Sequence, residues 1–181
     1  MPGQPRYIPL FLNPAEQEQL LASVNSEPWL DWTFRREQHY GHQYDYAAPL
    51  SGDRKLKHLG PLPSWSNSVV ERMISQGIMS RPPNQLLVKL YAPGEGIGSH
   101  VDCLTCFDSH IAILSLGSSC EMRLTHPQGE VINLTLEPGS VLVLEDEFRF
   151  KWSHGIVAGG FPKGTRTSLV FRKVNPQSVS P

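Results

Sequence analysis

The sequence predicts a mostly β protein, a sandwich or jelly roll with two helices ahead of its strands. Three observations carry that prediction. From Asn84 onward come about seven short apolar runs separated by turn segments such as HPQGE and EPGS. Before them lie two stretches with apolar residues at helical spacing. Nowhere do strands and helices alternate in the way a parallel sheet requires.

The elements follow in chain order. MPGQPRYIPLFLN has three prolines and no sustained apolar region, so no cleaved signal peptide is expected. Asn13 before Pro14 is a helix-start signal, and Leu20, Leu21 and Val24 give the helix Ala15 to Ser26 an apolar stripe. Trp29 to Pro49 mixes aromatics with Arg35, Arg36, His39 and His42 and lacks the alternation of a half-buried strand. Planar rings beside guanidinium groups suit stacking on bases and contact with phosphates, while a loop-rich segment with its aromatics packed inward has the same composition. Ser51 to Ser64 reads as a polar connector whose basic residues Arg54, Lys55 and Lys57 form a solvated face. Ser66 caps a second helix reaching Met79, with Val69, Val70, Met73 and Ile74 on its buried side.

Strands are expected at Leu86 to Tyr91, Ile111 to Leu116, Cys120 to His126, Val131 to Leu136, Val141 to Glu145, Phe148 to Ser153 and Thr167 to Val174. One domain over 1–175 and a disordered tail over 176–181 complete the organisation. A net charge of -1 gives no basic footprint for coating nucleic acid through bulk charge, although one basic face remains open. Three cysteines are too few for a disulfide framework and point to a reducing compartment. No run approaches the roughly 20 apolar residues of a membrane span, so the expectation is a soluble protein of the cytoplasm, with the nucleus as a second compartment. A monomer is the default.

The chemistry is concentrated in NQLLVKLYAPGEGIGSHVD, Asn84 to Asp102. On a strand or just past its end, residues two apart share a side, so His100 and Asp102 can converge on one point. One imidazole and one carboxylate are two of the three ligands of a facial iron(II) site, and His154, about fifty residues on, supplies the third. Such a metal keeps positions for a chelating co-substrate and oxygen. A 2-oxo diacid would bring two negative charges into a desolvated cavity, which requires fixed cations. Arg166 and Arg172, six apart on one strand, share a face with Ser168, and Tyr91 offers a hydroxyl from the strand leading to His100. The GEGIG string has no helix pattern behind it and reads as a turn into the site. Cys103 and Cys106 form a C-x-x-C without a second pair, so they are read as pocket-lining residues beside Asp102.

These residues resemble the AlkB-type iron(II)/2-oxoglutarate dioxygenases, whose signature is Asn-x-Tyr, His-x-Asp, a distant His, then Arg-x-Asn/Ser-x-x-x-Arg. The sequence carries Tyr91, His100 and Asp102, His154, and Arg166, Ser168 and Arg172 in that order. YAPGEGIGSHVD, LSLGS, HPQGE, WSHGI and RTSLVFRKV look most like members that hydroxylate a modified wobble uridine in transfer RNA.

The resemblance implies a double-stranded β-helix (jelly roll) with the two helices buttressing one sheet. It implies Fe(2+), 2-oxoglutarate and O2 as reactants, with His100, Asp102 and His154 on the metal. Arg166 with Tyr91 would bind the distal carboxylate, with Ser168 in the same co-substrate site and Arg172 near the metal-side carboxylate. Residues 29–50 would form a substrate lid, with Arg35, Arg36, Tyr40, Tyr44 and Tyr46 contacting a modified nucleobase, in RNA or transfer RNA more than in DNA. Two departures stand out. Lys89 replaces the asparagine before the tyrosine and is expected to salt-bridge 2-oxoglutarate, and Leu104 stands where a repair enzyme has an acidic base contact. A protein side chain as substrate, or a non-catalytic binding module on the same fold, are the rival readings.

Overall fold

The structure, a computed structural model, describes residues 3–32, 35–44, 56–158 and 164–179. The chain opens with β1 (Arg6–Ile8) and α1 (Pro14–Ser26). Helix α1 starts with a capping box: Asn13 Oδ1 accepts from the Glu16 N–H at 3.0 Å, and Glu16 Oε2 accepts from the Asn13 N–H at 2.9 Å. Next come β2 (Leu30–Trp32), β3 (Arg35–Tyr40), β4 (His42–Tyr44), β5 (Leu56–His58) and α2 (Asn67–Ser75). The roll itself is built from β6 (Gln85–Tyr91), β7 (Ile97–His100), β8 (Phe107–Gly117), β9 (Cys120–Thr125), β10 (Val131–Leu136) and β11 (Val141–Leu144). It closes with α3 (Asp146–Phe150), β12 (Ser153–Ile156) and β13 (Arg166–Val174).

Two antiparallel sheets face each other, a seven-stranded one in the order β1-β11-β8-β13-β6-β3-β2 and a four-stranded one in the order β10-β9-β12-β7. The large sheet is covered on both faces, which explains why its central strands read as unbroken apolar runs. Along β6, Leu86 and Val88 point to the layer of α1 and α2, while Leu87 and Tyr91 point between the sheets. The same alternation sends Ala112 and Leu114 of β8 outward to the helices, and Ile111 and Ile113 inward. The helices contribute Leu20, Val24, Val69 and Met73, each worth about 1.5–3 kcal/mol on full burial. Arg72 of α2 pairs with Glu16 of α1 and fastens the two helices together. The helices thus buttress one sheet of a jelly roll, as the sequence predicts.

Four expectations are corrected. Residues 35–40, expected to lack strand alternation, form β3, a full strand of the large sheet paired with β6 from Arg36↔Leu90 to Tyr40↔Leu86. Its polar residues are satisfied inside the fold: the buried Gln38 amide donates to the Val24 and Glu27 carbonyls. Phe148 to Ser153 is not a strand. The turn of α3 occupies its first half, so Arg149 goes inward and Phe150 outward, the reverse of its apparent polarity. Helix α2 is shorter than expected, and the Ser66 hydroxyl donates to the Pro63 carbonyl instead of capping it. The expected disordered tail begins with a 3-10 turn, Pro176–Ser178, held by hydrogen bonds from Asn175 and Ser178 to the Thr105 carbonyl. The rest of the lid, including Phe34 and Tyr46, and the connector residues Arg54 and Lys55 lie outside the described residues.

Candidate metal centre

Strands β7 and β12 run antiparallel at the edge of the small sheet, and their register sets His154 directly opposite His100. The ring centroids are 4.5 Å apart. The next pair is Ile97↔Ile156, so three residue steps on β7 face two on β12. This bulge beside His100 needs a close approach of backbones. Gly155 permits it: a Cβ there would lie 2.8 Å from the Ile97 carbonyl oxygen and 3.0 Å from the Ser99 Cα.

Asp102 follows β7 by two residues and brings its carboxylate to the same point. One ligand atom from each of His100, Asp102 and His154 lies within 4.8 Å of the other two. His100 Nδ1 sits 2.8 Å from the Gly98 carbonyl. A proton held there leaves Nε2, 4.0 Å from Asp102 Oδ1, with its lone pair available. Burial pushes the His154 pKa down to about 4 against the opposing pull of Asp102, so its imidazole is neutral near pH 7. Burial alone would raise the Asp102 pKa, but Arg172, His154, His100 and Arg149 outweigh it and hold the carboxyl at about 2. Two imidazoles, that of His154 held neutral, and one ionised carboxylate are a donor set suited to iron(II).

Arg172 grips Asp102 with its fork, Nη2 to Oδ1 at 3.0 Å and Nε to Oδ2 at 3.2 Å, and reaches Gln85 Oε1 with Nη1. It therefore acts on a candidate metal ligand, not on a free carboxylate. Arg166, its neighbour six residues earlier on β13, is fully buried, donates from Nη2 to Ser115 Oγ at 2.9 Å and lies 5.2 Å over the Tyr91 ring. Its Nε and Nη1 have no protein partner among the described residues. Two unpaired donors of a buried guanidinium fit one carboxylate of a diacid. Tyr91, Lys89, Ser168 and Arg166 line the same cavity as the three candidate ligands.

The model of the 2OG-Fe(II) oxygenase superfamily matches residues 4–172. The chain belongs to that superfamily. Its reactants are accordingly iron(II), 2-oxoglutarate and O2, and the His100, Asp102 and His154 cluster is the candidate metal site, with a donor chemistry that fits iron(II). Among the relatives, tRNA (carboxymethyluridine(34)-5-O)-methyltransferase ALKBH8 of Mus musculus is 31% identical over 91% of this chain and 29% of its own length. The chain thus spans less than a third of that relative. The alpha-ketoglutarate-dependent dioxygenase alkB homolog 7, mitochondrial, of Bos taurus is 33% identical over 96% of this chain and 79% of its own. Among solved structures, that of OsALKBH1 superposes with a TM-score of 0.73 at 16% identity, covering 96% of this chain and 99% of that one, which supports the fold.

The oxygenase places the expected substrate residues less favourably. Arg36 turns to the helix side of β3, where it pairs with Asp31 at 3.0 Å and stacks over Trp29. Tyr40 packs edge-on against Trp65 in the helix layer, and Tyr44 edge-on against Phe107. The Arg35 side chain and Tyr46 lie outside the described residues. Inward packing, the other reading of this aromatic stretch, holds for both described tyrosines. What β3 does bring to the cavity side is Glu37, 3.6 Å from Lys89 Nζ across the strand pair and 3.1 Å from His39 Nε2. Neither Glu37 nor His39 was marked by the sequence. The signal was there in Glu37 facing Lys89, but it needed the β3–β6 register to be seen. Cys103 and Cys106, expected as free pocket-lining thiols, are joined in a disulfide with Cα atoms 5.4 Å apart. Among the described residues, no helix is long and apolar enough to cross a membrane.

Proposed function

We propose that this oxygenase hydroxylates or oxidatively demethylates a modified nucleobase in RNA, with transfer RNA the first candidate. His100, Asp102 and His154 hold iron(II), Arg166 with Tyr91 and Ser168 holds the distal carboxylate of 2-oxoglutarate, and Lys89 contributes a second cation to the same diacid. When bound, the metal and 2-oxoglutarate supply oxidative decarboxylation coupled to oxygen insertion at a substrate C–H bond. The chain's own contribution is positioning and electrostatics. Arg172 keeps Asp102 ionised and aimed, burial keeps His154 neutral, and Arg166 would hold one carboxylate of the diacid. Apolar walls from Ile97, Ile113 and Met122 limit water around the diacid. A hydroxylated N-methyl group releases formaldehyde, and a hydroxylated carbon side chain remains as an alcohol.

The observation that carries the site reading is the buried Arg166 with two nitrogens lacking protein partners, in one cavity with a His, Asp and His cluster. The RNA reading is supported by relatives named for transfer RNA, and by one from Danio rerio named probable RNA/DNA demethylase ALKBH6, 27% identical over 93% of this chain. The test is a mass-spectrometric survey of nucleosides from total RNA incubated with the protein, iron(II) and 2-oxoglutarate. One modified nucleoside should fall and an oxidised product rise, only when all three are present. A second reading, oxidation of a protein side chain, is favoured by Arg36 and Tyr40 facing away from the cavity. An unchanged nucleoside profile beside a hydroxylated peptide from lysate would replace the first reading with the second.

A further inference from the structure

Of the three candidate ligands, His100 and His154 sit on paired strands whose ladder fixes their backbones. Asp102 does not. It lies in the irregular connection between β7 and β8, where no ladder holds it. Such a backbone keeps its conformational freedom unless contacts other than a ladder hold it.

The holding group is Arg149 of α3, only 1% exposed and outside the cavity that the ligands line. Its donors go to backbone carbonyls at both ends of the same connection. Nη1 donates to Asp102 at 3.3 Å, Nη2 to Cys103 at 2.8 Å and to Phe107 at 3.4 Å, and Nε to Asp108 at 3.2 Å. The plane of the guanidinium rests 4.9 Å from the Phe150 ring centroid. The tip of the connection is secured separately, by the Cys103–Cys106 disulfide and by Asn175, whose N–H donates to the Cys106 carbonyl at 2.9 Å. Arg149 spans the same ends at the backbone of the candidate ligand itself, joining Asp102 and Cys103 to Phe107 and Asp108. It also stands five residues before His154, so one short segment delivers a ligand and clamps the loop of another.

We propose that Arg149 is a positioning residue for metal binding, fixing the Asp102 backbone while Arg172 fixes the Asp102 carboxylate. This rests on the reading above that Asp102 binds the metal. Both guanidinium groups act through Asp102, one on its carbonyl and one on its carboxylate. Removing Arg172 would unpair the carboxylate, whereas removing Arg149 would let the whole residue swing. Groups that orient metal ligands typically change metal affinity by about 10–100-fold when removed.

The experiment is Mn(II) titration of the full chain by calorimetry and by electron paramagnetic resonance, without oxygen or 2-oxoglutarate. Arg149→Met is expected to bind Mn(II) about 10–100-fold more weakly and to broaden the resonance of what is bound. Arg149→Lys, one point donor in place of a fork, should show an intermediate loss. Val24→Ala, a cavity on the far side of the large sheet, lowers stability without touching the site and should keep wild-type affinity. Wild-type affinity in Arg149→Met, or an equal loss in Val24→Ala, overturns the proposal. Should the methionine variant not fold, wild-type affinity in Arg149→Lys overturns it instead. A wild-type protein that binds no Mn(II) is a different failure, of the metal reading itself.

Discussion

Replacing Arg166 with methionine should move two measurements in opposite directions. The side chain is fully buried, and within the protein it gains one hydrogen bond to Ser115 and one contact with the Tyr91 face. Those are worth about 1 kcal/mol each. Against them stands a buried cation with two nitrogens lacking protein partners, each costing about 1–3 kcal/mol. A thioether of similar length removes both the gains and the larger cost. The variant should therefore be more stable than wild type without ligand, by about 1 kcal/mol, or about 2–4 °C in melting temperature.

With 2-oxoglutarate the order reverses. Truncating one partner of a buried charge pair costs about 2–5 kcal/mol, roughly 30-fold to several thousand-fold in affinity. Thermal unfolding with Mn(II), with and without 2-oxoglutarate, reads both effects. At about a hundred times its Kd the diacid should raise the wild-type midpoint by about 5–10 °C and the variant's by about 3 °C or less. A variant that melts below wild type alone, or that keeps the diacid's shift, would refute the assignment of Arg166 as the carboxylate clamp.

Three further outcomes are expected. Gly155→Ala would force a Cβ to within 2.8 Å of the Ile97 carbonyl oxygen, spread β7 from β12 beneath the facing histidines, and weaken Mn(II) binding at least about tenfold in calorimetry. Lys89→Met removes the cation that Glu37 holds at 3.6 Å on the cavity wall, and should weaken 2-oxoglutarate by about 1 kcal/mol, roughly fivefold; unchanged affinity would remove Lys89 from the co-substrate site. Stability of the metal-free protein should fall as pH falls. His154 drops from an ordinary 6.5 to about 4 on folding, so between those values the unfolded chain takes up a proton that the folded one refuses. Its contribution, about 3 kcal/mol, is complete above pH 6.5 and gone below about 4, as read by urea unfolding. Asp102, lowered from 3.8 to about 2, adds a second loss over that lower range, and His154→Gln should flatten only the upper one.

Local sequence was a reliable guide wherever one face decided the structure. Leu20 and Val24 in α1, and the apolar runs of β6, β8 and β13, each had a single burial solution, so period and turns sufficed. It misled where tertiary partners reversed the apparent polarity. FRFKWS looks like an alternating strand, yet Arg149 finds four backbone carbonyls inside and Phe150 is left 43% exposed. RREQHY looks too polar for a sheet, yet α1 and β6 supply partners for Gln38 and Glu37. The tyrosines offered to a substrate face Trp65 and Phe107 instead, since a ring packed in the fold and a ring stacked on a base have the same composition.

By itself the sequence determined the ligand types and their order. The Arg166, Ser168 and Arg172 strand is chemistry written in spacing, because strand alternation is a local property of the backbone, and the His100 and Asp102 pair is legible as His-x-Asp although Asp102 lies just past the end of β7. Only the tertiary structure decided which cation serves which anion. Arg166 and Arg172 share one face of one strand, and nothing in their spacing says that Arg172 holds Asp102 while Arg166 keeps two donors for a diacid. That division follows from the register of β13 against β6 and β8 and from the bulge that turns β7 inward. Those are contacts between residues tens of positions apart, whose pairing no local pattern encodes.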